Sequence, residues 1–216
     1  MSEYLFVEKP FLTQLANLGW QVIDQGPGIP TDPKGSLRTS FREVFLDSVF
    51  RQSLSAINCT PQGQTWLTDK QLDDLLDSIF QISAQSLVEA NEEVLQLLYR
   101  TQVDVNEVTG EQFPDVKLID FDRPDRNQFH AINQFRIDTP GGTKEFIIPD
   151  IVLFVNGLPL VVIECKDANE SAANPMYEAF VQLMRYSDQR EETKQAGLHE
   201  GEPKLFFTNQ LIIRTC

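Results

Sequence analysis

Imidazole and thiol groups are scarce. The two histidines, His130 and His199, and the three cysteines, Cys59, Cys165 and Cys216, are scattered, the cysteines odd in number and without a CxxC pair. This argues against a zinc site and against a disulfide framework. Cys165 reads as a small apolar side chain packed beneath a sheet, since a nucleophilic thiol needs a histidine partner that the sequence does not supply. Positive charge is also short: 18 Lys and Arg face 32 Asp and Glu, a formal charge of −14. Proteins that grip DNA unaided present a basic surface, so this chain is expected to bind duplex poorly by itself. No GxxxxGK[ST] loop occurs, and the glycines of GPGIP follow no strand, so no ATP site is visible. The longest apolar stretch is broken by Asp150 and Asn156, and no charged leader precedes an apolar core. Neither membrane insertion nor secretion is indicated, and a soluble, cytoplasmic protein is expected.

What is present is enough apolar material, 41% of 216 residues, for one domain or a domain with a helical appendage. The pattern changes once. Up to about Arg100 the periodicity is helical, and residues 1–100 are expected to form a mostly helical part packed on a core of residues 101–216. Helices are expected over Pro10 to Leu18 and over Ser40 to Ile57, with another capped by Asp69 and one running through Val94 to Leu98. From Val103 onward β signals take over: Val116 to Phe121, Ala131 to Ile137, Phe146 to Val155, Leu158 to Cys165 and Leu205 to Ile213. Asn174-Pro175 then opens a helix between the last two strands, with Met176, Ala179, Phe180, Leu183 and Met184 as its buried stripe. The fold class expected is mixed α/β, a central sheet flanked by helices.

The stretch PDIVLFVNGLPLVVIECK, Pro149 to Lys166, concentrates the chemistry. Asn156-Gly157 between two apolar runs signals a hairpin. Alternation puts Glu164 and Lys166 on one strand face and Cys165 on the other. A two-residue turn pairs Val155 with Leu158 and sends Asp150 to the face opposite Glu164. A three-residue turn, Val155-Asn156-Gly157 with Gly157 left-handed, pairs Phe154 with Leu158 and brings Asp150, Glu164 and Lys166 to one face. The bulged turn, or an equivalent kink at Pro149, is therefore expected. Diagonal neighbours then have Cα atoms roughly 7–8 Å apart, a gap two carboxylates can close around one divalent cation. Charges in strands apolar on both faces are costly unless paired or bound to metal, so the alternative to a metal site is a buried ion pair. Gln182 and Tyr186, spaced i and i+4, share a flank of the following helix, either leaning toward the metal or forming a half-buried surface pair.

PD followed by ECK resembles the PD-(D/E)xK nuclease signature, and the longer stretch resembles the nuclease region of type I restriction enzyme R subunits. LGW at Leu18 to Trp20, REVFL at Arg42 to Leu46, LIDFDRPDRNQF from Leu118 and LFFTNQLII near the end extend the likeness over nearly the whole chain, and Gln182-Leu-Met-Arg-Tyr186 fits the family's QxxxY motif. The resemblance implies a restriction-endonuclease-like core and Mg²⁺, with Mn²⁺ as substitute, held by Asp150, Glu164 and the Cys165 backbone carbonyl. It further implies that Lys166 positions or activates water and stabilises charge on the phosphate, while Gln182 and Tyr186 orient phosphate or the lysine. Glu8 is a candidate for the auxiliary glutamate that related nucleases place near the metal, a solvated residue being the alternative.

The same resemblance implies double-stranded DNA as substrate and assembly with methyltransferase and specificity subunits. ATP would enter through motor domains that this stretch of sequence lacks, as though it were the N-terminal portion of a longer chain. Two other readings remain: a repair or recombination nuclease of the same superfamily without a motor, and a docking module whose acidic helical half binds partner subunits.

Overall fold

The computed structural model describes residues 3–168 and 174–216. A π-helical turn, Tyr4–Glu8, runs directly into helix α1, Lys9–Asn17, and the short strand β1, Gln21–Ile23, follows. Helices α2 (Asp47–Ile57), α3 (Asp69–Phe80) and α4 (Leu87–Tyr99) come next. A two-stranded ribbon of β2 (Thr101–Gln102) and β3 (Asp115–Val116) leads to β4 (Phe129–Asn133). The ribbon β5 (Ile137–Asp138) and β6 (Phe146–Ile147) precedes β7 (Ile151–Val155) and β8 (Leu158–Cys165). Helices α5 (Pro175–Tyr186) and α6 (Glu191–Gln195) and strand β9 (Leu211–Thr215) complete the order.

The central sheet is mixed, in the order β1-β4-β7-β8-β9, with β1 parallel to β4, β8 parallel to β9 and the inner pairs antiparallel. One face packs against α1 through Leu12, Leu15, Ala131, Ile151, Leu153, Ile163 and Cys165. The other meets α5 and the α2–α4 layer through Val152, Phe154 and Val162 against Phe50, Leu183 and Tyr186. Both faces of β7 are thus covered, which is why IVLFV is apolar throughout. The expected mixed α/β architecture is present.

Several local expectations are corrected. The helix expected from Ser40 begins at Asp47, because the preceding residues make turns that still bury Phe41, Val44 and Leu46. Thr68, not Asp69, caps α3, its hydroxyl accepting from the Gln71 N–H in a reciprocal capping box. The strand expected over Ala131 to Ile137 breaks at Gln134, which has positive φ. Of Val116 to Phe121 only Val116 is in a strand, and Leu205 to Phe206 form a 3₁₀ turn ahead of β9. In α5 Asn174 caps and Pro175 leads as expected, but Phe180 is 42% exposed and Tyr186 takes the buried place.

The turn between β7 and β8 is also corrected. Val155 pairs with Leu158, so Asn156-Gly157 is a two-residue turn, both residues at positive φ, as a type I′ hairpin requires. Asn156 is buried and tied down by Leu118, Asn127 and Gln128. The extra residue lies in β8 instead: Phe154 pairs with Pro159 but Leu153 pairs with Val161, leaving Leu160 as the bulge. Proline has no N–H for the ladder, and bulges are where a strand tolerates it.

Candidate active site

The bulge decides where Asp150 points. Beyond it Ile151 pairs with Ile163, and continuing the register one step sets Asp150 directly opposite Glu164, on the same face. An extra residue on either strand inverts the parity, so the shared face arises although the turn differs from that expected. The Cys165 backbone N–H holds Asp150 by donating to its Oδ2 at 2.7 Å. The Cys165 side chain is buried on the α1 side of the sheet.

Glu164 is fully buried. Its Oε1 accepts from Lys166 Nζ at 2.8 Å, while its Oε2, also buried, has no hydrogen-bond partner among the described residues. Lys166 Nζ also donates to the Cys165 carbonyl at 2.8 Å and lies 3.7 Å from Glu3 Oε2. Glu8 is buried, its carboxylate accepting from Gln134 Nε2 at 3.1 and 3.2 Å. Oxygens of Glu3, Glu8 and Asp150 all lie within 4.8 Å of one another. The structure therefore gathers Asp150, Glu164, Lys166 and Glu8, and adds Glu3. The π-helical turn explains the last pair, since winding that bonds i to i+5 aligns Glu3 and Glu8 on one side. No sequence spacing announced Glu3, because i and i+5 diverge on an ordinary α-helix.

Gln182 and Tyr186 stand behind this group. Gln182 Nε2 donates to the Tyr186 hydroxyl, which donates to the Ile148 carbonyl at 2.9 Å. Their visible work is to clamp the backbone that leads into Asp150.

Electrostatics reflect crowding. Burial, then the nearby Asp150, push Glu8 up to about 7 despite its bonds from Gln134 and Asn133. Burial raises Asp150 to about 6, partly offset by the Cys165 N–H and the Lys166 charge. Glu164 is raised well above the usual carboxylate range by burial and by Asp150. Burial pulls the Lys166 ammonium down, but Glu164 and its neighbouring carboxylates outweigh it and the net direction is up. With Glu3, Asp150 and Glu164 near the one ammonium and Glu8 crowded against Asp150, negative charge is in excess and only protons or a cation can offset it.

The family model described as type I restriction enzyme R protein N terminus matches residues 1–215. The type I restriction enzyme HindI endonuclease subunit of Haemophilus influenzae is 30% identical over 208 residues, 96% of this chain but 18% of that protein. The putative type I restriction enzyme MjaIXP endonuclease subunit of Methanocaldococcus jannaschii is 26% identical over 175 residues, 80% of this chain and 16% of that protein. A second protein of that organism, the putative MjaVIIIP endonuclease subunit, is 34% identical over 98 residues, 43% of this chain and 9% of that protein. The chain thus spans less than a fifth of the length of these relatives.

Proposed function

The chain belongs to the family of type I restriction enzyme R protein N termini, and from that premise we propose that it is a metal-dependent endonuclease domain hydrolysing DNA phosphodiester bonds. The observation that carries the reading is the cluster of Glu3, Glu8 and Asp150 oxygens, with Glu164 opposite Asp150 and its buried Oε2 without a hydrogen-bond partner among the described residues. An orphaned carboxylate oxygen beside further acidic oxygens fits a hard divalent cation, Mg²⁺ by preference with Mn²⁺ as substitute. Asp150, Glu164 and the Cys165 carbonyl would hold it, with Glu8 as a further oxygen donor. When bound, such a cation polarises the phosphate and lowers the pKa of water.

The chain's own residues do the rest. Lys166, hydrogen-bonded to Glu164, would donate to charge developing on the phosphate and position or activate the attacking water. Cys165 fixes Asp150 through its N–H. Gln182 and Tyr186 act as positioning residues through the Ile148 carbonyl. In this reading double-stranded DNA is delivered by an ATP-driven motor in the remainder of a longer chain, assembled in the cytoplasm with methyltransferase and specificity subunits.

The test is Lys166→Ala in the assembled enzyme. DNA cutting is expected to disappear while ATP-driven translocation continues, and undiminished cutting would sink the reading.

A further inference from the structure

The parallel pairing of β8 with β9 places Arg214 beside Glu164, which itself stands opposite Asp150. Ladder partners share a sheet face, so Asp150, Glu164 and Arg214 form a row across three strands, each step one strand spacing of about 4.8 Å. Arg214 reaches α5 on that face: its Nη1 donates to the Met176 carbonyl at 3.2 Å, and its guanidinium lies 5.6 Å from the centre of the Phe180 ring. Among the described residues no carboxylate pairs with it, and it is exposed. A guanidinium has five N–H donors, and among the described residues a single one is used. Phe180, 42% exposed on α5, sets its ring behind this cation. In a chain of charge −14, an exposed guanidinium on the strand next to Glu164 is suited to a phosphate.

We propose that Arg214 is a positioning residue for the DNA strand being cut, gripping a backbone phosphate next to the scissile one, with Phe180 holding the guanidinium plane. The inference rests on the nuclease reading and adds the substrate contact which that reading lacks. A phosphate held by the side chain of the strand next to Glu164 sets the register of the DNA strand over the carboxylates without taking part in bond breaking.

The experiment compares Arg214→Gln, Arg214→Lys, Phe180→Leu and Lys166→Ala in the assembled enzyme, with ATP turnover reporting assembly. Arg214→Gln is expected to slow strand cutting about tenfold and to flatten the dependence of its logarithm on log salt by about one ion. Arg214→Lys should restore the salt slope but not the full rate, because it keeps the charge and loses the two-pronged contact. Phe180→Leu should slow cutting less than Arg214→Gln. If Arg214→Gln cuts with wild-type rate and salt slope while Lys166→Ala is silent, the inference is overturned and the nuclease reading stands. If Lys166→Ala still cuts, both fall. Should Arg214→Gln fail to assemble, the Lys and Leu variants decide: wild-type rates in both overturn the proposal.

Discussion

At the scale of single residues, the carboxyl groups dictate how the metal-free chain responds to pH. Glu8 at about 7, Asp150 at about 6 and Glu164 well above its usual value keep protons in the folded state that the unfolded chain has already released. The folded state binds more protons, so this contribution is fully present below pH 4, where both states are protonated, and is lost as pH rises through 6 and 7. The thermal midpoint in chelator should therefore fall between pH 5 and pH 8. Glu8→Gln removes one of the crowded charges and should recover about 2–4 °C at pH 8, the equivalent of roughly 1 kcal/mol in a chain of this size. Adding Mg²⁺ should raise the wild-type midpoint more at pH 8 than at pH 5, since ligation needs the deprotonated carboxylates. Melts followed by circular dichroism check this. A wild-type midpoint in chelator that is flat or rising from pH 5 to 8, with Glu8→Gln no different, removes the claim of crowded carboxylates.

At the scale of elements, the β7–β8 hairpin shows what sequence patterning can and cannot reach. Gly157 has a φ of +82°, and a Cβ there would sit 2.6 Å from the Leu46 carbonyl oxygen and 2.7 Å from the Phe50 backbone nitrogen. The Gly157 carbonyl also accepts from the Leu46 N–H at 2.9 Å, so the turn is docked on the start of α2. Gly157→Ala combines backbone strain with overlap against an immobile backbone and should cost at least about 2 kcal/mol, read as a lowered urea midpoint. A loss under about 0.5 kcal/mol would show that the turn is not docked as described. The Asn-Gly signal and the apolar strands were legible because they are local and periodic. The turn pattern points to a bulge at Gly157, whereas the bulge lies beside Pro159, a residue without an N–H inside an otherwise central strand. Gln134, which breaks β4 from β5, carried no such mark, since its positive φ accompanies bonds to Glu8 and Gln25 that join segments far apart in sequence. For the same reason Glu3 stayed hidden, whereas Asp150, Glu164 and Lys166 stood out as charges in apolar strands.

At the scale of the whole molecule, the balance of 18 basic against 32 acidic residues sets how the chain meets DNA. Non-specific binding draws its free energy from counterions released as Lys and Arg neutralise phosphates, and a chain with this excess of acid releases few. Of its cations, Arg51, Lys117, Arg123, Arg126, Arg136 and Arg190 are already engaged with carboxylates, which leaves still fewer to face a duplex. The 216-residue chain alone should accordingly bind duplex more weakly than about 10⁻⁴ M at physiological salt, outside the range of ordinary non-specific binders. Lowering the salt should strengthen binding only gently, because the slope counts the few phosphates contacted. Mg²⁺ should help beyond its ionic strength, since a cation among Glu3, Glu8, Asp150 and Glu164 inverts the local potential. Anisotropy of a labelled duplex, titrated with the chain with and without Mg²⁺ at matched ionic strength, makes the measurement. Binding tighter than about 10⁻⁶ M without Mg²⁺ would mean that the acidic surface does not repel DNA, and the proposed delivery by another domain would lose its ground.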